Sequence, residues 1–159
     1  MPEPAPLHPA GGSKTAAPVN APRLWTIGAS AGTSFAAPWV TGTVHATLAP
    51  LKHSFLEIGV DAGMVSGDAE AGYYSLYPFA HYALFAPFGK SGGWYVGAGG
   101  GCMIAKYDLP EGKFPVNIPA ADVTTGFNIG NVFDVSWTLR TNFAKASNKV
   151  SVGWAYRFK

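Results

Sequence analysis

Four histidines, one cysteine and nine acidic residues are the groups through which this 159-residue chain could do acid–base, nucleophilic or metal chemistry. His8 lies in a Pro/Ala-rich leader and His53 in the turn-forming run Pro50-Leu51-Lys52-His53. His45 and His81 fall inside alternating segments, and neither has a serine and a carboxylate at a spacing that marks a triad. His45 reads as a packed residue hydrogen-bonded to a neighbour, and His81, within Tyr77-Pro78-Phe79-Ala80-His81-Tyr82, reads the same way. The single Cys102 excludes an internal disulfide framework and a cysteine-based zinc site, and no four-residue metal cluster is visible. Gly97-Ala98-Gly99-Gly100-Gly101 lacks the lysine and following helix of a phosphate-binding loop. Small residues that let bulky neighbours pack are the simpler account. The chain is therefore expected to have no catalytic residue, metal or cofactor, and not to be an enzyme.

The composition says what kind of scaffold carries these groups. Charged residues make up 13%, apolar residues 48% and aromatic residues 14%, with 20 glycines. A water-soluble domain usually carries about 25% charge, so this chain has little with which to cover a polar surface. A net charge of +2 and the absence of a Lys/Arg cluster argue against nucleic acid as a partner. Residues 24–51 carry no formal charge, but Gly28, Gly32, Pro38, Gly42 and Pro50 make them a poor helix. Met1 is followed by Pro-Glu-Pro-Ala, so no signal peptide is read. The expectation is a mature chain whose export signal has been replaced by a start methionine.

Residues 1–22 hold too little apolar surface to offset chain ordering and are expected to form a disordered leader, with 23–159 as one domain. From Arg23 onward the pattern has period two. Eight strands are expected at 24–35, 39–49, 54–65, 72–86, 93–107, 121–130, 132–144 and 148–158. Turn residues separate them, and the longest connection, 108–120, contains three prolines. The spacing of about seventeen residues per strand and turn exceeds the 8–12 of small soluble sandwiches. It suits strands of about 9–11 residues crossing a bilayer at a tilt.

The two faces of these strands decide the environment. The seventh segment places Phe133, Val135, Trp137, Leu139 and Phe143 opposite Asp134, Ser136, Thr138, Arg140 and Asn142. The eighth places Val150, Val152, Trp154, Tyr156 and Phe158 opposite Ser151, Gly153, Ala155 and Arg157, and the second, third and sixth behave alike. The polar face is small and lightly charged, too sparse for a solvent face but suited to a narrow barrel interior. The apolar face carries no charge within these spans except Lys106, near a strand end. Lipid accounts for such a face. Two aromatic bands are expected at the rims: Trp25, Trp94, Phe127, Phe133, Tyr156 and Phe158 at one, and Phe35, Trp39, Tyr74, Tyr107 and Phe143 at the other. Trp137 and Trp154 fall mid-strand. The fold expected is an all-β, eight-stranded antiparallel up-and-down transmembrane barrel.

Ionisable residues inside such a barrel are the functional candidates. They are Glu57, Asp61, Asp122, Asp134, Arg140 and Arg157, with His45 beside them, and mutual pairing is expected to plug the lumen. A turn centred on Asn131 sets Asp122 opposite Arg140, and one centred on Leu51 sets His45 opposite Glu57. A turn at 145–147 sets Arg140 opposite Gly153 and Arg157 diagonal to Asp134.

The closing residues Ser151-Val152-Gly153-Trp154-Ala155-Tyr156-Arg157-Phe158 resemble the C-terminal assembly signal of bacterial outer-membrane barrels, matching it at Ser151, Gly153, Tyr156 and Phe158. Lys159 departs from it by following the last aromatic residue. Residues 23–159 resemble in pattern and length the small OmpA-, OmpX- and OmpW-type barrels. The resemblance implies the outer membrane of a diderm bacterium, a lipid surround, recognition by the barrel-assembly machinery, and both termini in the periplasm. The implied role is non-enzymatic, in membrane integrity and surface contact, with connection 108–120 and its Asp108, Glu111 and Lys113 meeting an extracellular partner. A narrow, porin-like channel or a transporter of small apolar solutes is the alternative, followed by a lipid-modifying enzyme.

Overall fold

The computed structural model describes residues 26–34, 39–51, 53–66, 72–88, 91–109 and 112–158. The leader expected at 1–22, the connections 35–38 and 67–71, and Glu111 lie outside them. Eight strands run in order: β1 (Thr26–Ser34), β2 (Val40–Leu48), β3 (Ser54–Ser66), β4 (Gly72–Pro87), β5 (Gly92–Leu109), β6 (Gly112–Ile129), β7 (Phe133–Thr141) and β8 (Ala146–Arg157). Each pairs antiparallel with its sequence neighbours, and β8 closes on β1. The fold is the closed eight-stranded barrel that period two and strand count imply.

Closure fixes which face is which. Val40, Val44, Leu84, Phe133 and Val152 are exposed on the outside, whereas Thr41, Thr43, Asp61, Asp122 and Thr138 are buried inside. Alternation along the strand forces this separation. Large side chains also enter the lumen. Tyr77, Phe79, His81, Ala83 and Phe85 form one inward column on β4. Across the β4–β5 ladder, Gly101, Gly99 and Gly97 face Phe79, His81 and Ala83. A Cβ added at Gly99 or Gly101 would collide with His81 or Tyr77, so the glycine run is the space that the aromatic column occupies. The interior is thus aromatic along one wall and polar along the rest.

Three connections differ from expectation. Residues 112–120 are strand, not loop: β6 pairs with β5 from Gly112↔Leu109 to Ile129↔Gly92. Its pairing with β7 begins only at Ala121↔Thr141, so the 112–120 stretch has a partner strand on one side alone among the described residues. The prolines that suggested a loop sit where this strand tolerates them. Ile129 C=O accepts from Val132 N on the β7 side, and Gly130 N donates to Ser91 O on the β5 side. Odd-numbered backbone groups of β6 therefore point toward β7. Pro115 and Pro119 turn their missing N–H toward the unpartnered edge and leave the β5 ladder intact. In this stretch the outer face carries a polar residue: Asn117 is exposed on the outside, opposite the exposed Ile104 on β5.

The last turn spans 142–145, not 145–147. Asn142 Oδ1 accepts from the backbone N–H of Ala144 and Lys145 (3.1 and 2.7 Å), and Asn142 N donates to Lys145 O. This side-chain turn fixes Thr141↔Ala146, sets Arg140 opposite Ser147 and pairs Asp134 with Gly153. The displacement from the expected register is an even number of residues, so faces are preserved and only heights change. Trp154, expected mid-strand, thereby stands opposite Phe133 and joins the rim with Tyr156 and Phe158. The β2–β3 turn is centred one residue later than expected, with His53 at φ 62°, so His45 faces Gly59 and Glu57 faces Thr47. The Asn131 turn has Gly130 and Asn131 both left-handed (φ 64° and 59°) and places Asp122 opposite Arg140.

Candidate functional site

The polar lumen divides into three levels. At the end shared with the chain termini, Thr26 and Thr47 exchange a hydroxyl hydrogen bond of 2.8 Å. Nearby, Tyr95 Oη donates to Asp134 Oδ1 at 2.8 Å, and Phe55 packs edge-on against the Tyr95 ring. Gly126 makes room for Tyr95, since a Cβ there would lie 2.5 Å from its hydroxyl. A void of about 50 Å³ lies among Glu57, His45, Asp134 and Asn128, space for a few waters.

At mid-height, His81 stacks on Phe79 with ring centroids 4.4 Å apart. Its Nε2 approaches Asp122 Oδ1 at 2.8 Å, and its Nδ1 lies 3.8 Å from Glu57 Oε2. Neither contact has the alignment of a hydrogen bond, so the imidazole is held by charge proximity and stacking. His45 Nδ1 lies 3.9 Å from Glu57 Oε1, diagonal to it, not opposite. Hydroxyl pairs, Thr124 with Thr138 and Ser136 with Ser151, complete this level at 3.1 and 2.7 Å.

At the loop end the carboxylate of Asp61 gathers three donors. Thr43 Oγ1 and Arg140 Nη2 each lie 2.6 Å away, and Lys149 Nζ reaches both oxygens at 2.8 and 2.9 Å. The Arg140 guanidinium lies over the Tyr77 ring with Cζ 3.4 Å from its centre, and Tyr77 Oη donates to Asp122 Oδ2. Asp61 is 3% exposed and Tyr77 1% exposed, so this knot is buried within the barrel. Buried carboxylates need such partners, because an unpaired charge is costly away from water.

The sequence-derived set is therefore regrouped. Asp122 is the cross-strand neighbour of Arg140 but contacts His81 and Tyr77; Arg140 reaches Asp61 instead. Asp134 meets Tyr95, and Arg157, whose backbone pairs with Thr26, is not its diagonal neighbour. The Arg157 side chain lies outside the described residues. Lys149, His81, Tyr77 and Tyr95 were absent from the set. Lys149 lies two residues before Ser151 on the same face, and the β4 column alternates opposite glycines, so both signals were available. Of the assembly-signal residues, Ser151 is buried inside and Tyr156 and Phe158 are exposed outside. Asp108 pairs with Lys113 near the top of the β5–β6 hairpin.

No family model matches the chain, and no curated protein does. Solved structures match its shape. Neisserial surface protein A superposes with a TM-score of 0.63 at 12% identity, covering 84% of this chain and 96% of that one. The N-terminal β-barrel domain of Pseudomonas aeruginosa OprF gives 0.64 at 13%, covering 83% and 96%. Ail, the attachment invasion locus protein of Yersinia pestis, gives 0.54 at 10%, covering 83% and 96%. The chain thus has the fold of eight-stranded outer-membrane barrels.

Proposed function

We propose that this chain is a non-enzymatic integral protein of a bacterial outer membrane, with a plugged lumen and a role in membrane integrity and surface contact. The observation that supports it is the division of polarity across the wall. The outside carries exposed Val, Leu, Ile and aromatic residues on every strand, with Lys106 the one charge among the described outward positions of the paired belt. The carboxylates of the strand interiors face inward onto donors. In water this surface would form an apolar patch far larger than soluble monomers expose; in a bilayer it is the ordinary lipid face.

The terminal end faces the periplasm and the loop end the exterior. The tall β5–β6 hairpin is then the surface that meets a partner, with Asp108, Lys113 and, between them in the sequence, Glu111 as the candidate contacts. Assembly follows the barrel machinery that reads Tyr156 and Phe158. The chain is expected to need detergent or lipid to fold and then to show a β-rich spectrum. A stable, monodisperse monomer in plain buffer would overturn the membrane assignment.

A narrow channel is the second reading, favoured by the row of small voids of about 50, 20 and 30 Å³ that share lining residues along the lumen. The Asp61 knot lines the last of them, at the loop-end mouth. Planar-bilayer recordings of the refolded wild type decide between the readings: no stable conductance supports the plug, and a reproducible open state supports the channel. A lipid-modifying enzyme would show turnover of bilayer lipid by the purified protein.

A further inference from the structure

The loop-end mouth has features that a plug does not require. Its void, about 30 Å³, is lined by Arg140, Lys149 and Asp61, so two basic side chains stand against one carboxylate. Hydroxyls of Ser75, Thr138 and Ser147 line the same space. Arg140 spends one amino group on Asp61, and its buried Nε–H has no acceptor among the described residues. A buried guanidinium donor left without an acceptor forfeits a charge-assisted hydrogen bond. Stacking on Tyr77 fixes the guanidinium plane, so the donor is presented in a set direction. The void has the volume of two or three waters, which is also that of one tetrahedral oxyanion.

We propose that this mouth binds a small oxyanion, a phosphate or sulfate group, with Arg140 and Lys149 supplying charge and the serine and threonine hydroxyls supplying further donors. The group could come from inorganic phosphate or from a lipid headgroup. The inference goes beyond the plugged-barrel reading, because a closed lumen can carry a binding cup at its mouth. Only the lipid source depends on the loop end facing an outer leaflet.

The test is calorimetric titration of the refolded protein in a maltoside detergent, which carries no phosphate. One arm adds inorganic phosphate, a second sulfate, and a third a short-chain phosphatidic acid in the mixed micelle. Saturable one-to-one binding is expected, weakened about tenfold or more by Arg140→Gln and by Lys149→Gln. Glu57→Gln, at mid-height and outside the lining of this void, should leave it unchanged. Should Arg140→Gln fail to refold, Ser147→Val removes a lining hydroxyl without touching the ion pairs and should also weaken binding. Binding in the phosphatidic acid arm alone assigns the site to a headgroup; binding in the inorganic arms assigns it to the free anion. No saturable binding in any arm overturns the proposal, as does equal loss on Glu57→Gln.

Discussion

Arg140 stands directly opposite Asp122 on the neighbouring strand, yet its guanidinium binds Asp61 across the lumen, with Nη2 2.6 Å from Oδ2. The surroundings of the two carboxylates differ. Asp122 is already occupied by Tyr77 Oη and faced by His81 Nε2, both at 2.8 Å, and the Tyr77 ring offers its face to the guanidinium. Asp61, already held by Thr43 and Lys149, takes Arg140 as a third donor at Oδ2. Adjacent position in the sheet does not by itself decide the partner; a long side chain laid over the Tyr77 ring reaches the carboxylate across the lumen.

Double-mutant cycles separate these two relations. Arg140→Ala should cost about 3 kcal/mol, the low end for breaking a buried pair, because Lys149 still serves Asp61. Combined with Asp61→Ala it should show strong coupling, and combined with Asp122→Ala a clearly smaller one. Reversible refolding in urea with lipid or detergent present measures both. Larger coupling to Asp122 would mean that cross-strand adjacency, not the contact across the lumen, holds the arginine.

Neighbouring residues on β7 should respond oppositely to polarity. Val135 is exposed outside, and Val135→Arg should cost about 2–4 kcal/mol if it meets the bilayer midplane. Ser136 faces the Ser151 hydroxyl inside, so Ser136→Thr keeps the hydrogen bond and should be mild. Refolding free energies in vesicles compare the two. Equal or reversed costs would invert the assignment of inside and outside.

These faces were legible in the sequence because period two is a local property, and the closed barrel followed from strand count and an uncharged outer face. Heights were less legible. A hairpin register depends on the turn, and the Asn142 side chain makes a turn that composition at Lys145 to Ser147 did not reveal. The charge set shared this fate: alternation gave the inward position of Asp61 and Arg140, but their contact spans the lumen between β3 and β7, which no hairpin rule reaches. The β4 column could have been read from the glycine run on β5, since a strand with Gly at alternate positions implies bulk on the facing strand.

Glycine substitutions test that complementarity. Gly126→Ala would place a Cβ 2.5 Å from Tyr95 Oη and 2.6 Å from Val135 O, and should cost about 1–3 kcal/mol, the range for overpacking. At Gly42 an added Cβ meets nothing within 4 Å on the outer face, so Gly42→Ala should be neutral or slightly stabilising. Midpoints of urea unfolding rank the two. Similar costs at both would show that the lumen yields as easily as the lipid face.

The edge of β6 supplies the last expectation. Along 112–120 the backbone donors facing away from β5 belong to Lys113, Pro115, Asn117 and Pro119, and the two prolines have none to give. An unpartnered edge with a full row of donors would recruit another strand, and alternating prolines halve that capacity while leaving the inner ladder whole. Replacing both, as Pro115→Thr with Pro119→Thr, restores two donors on a strand whose β5 side is already satisfied. The double variant should fold with the same β content but associate through this edge, giving dimers or larger species in detergent where the wild type is monomeric. Sedimentation in matched-density detergent measures the change. An unchanged monomer would mean that the edge is already covered, and that the prolines serve the bend of the hairpin and not its isolation.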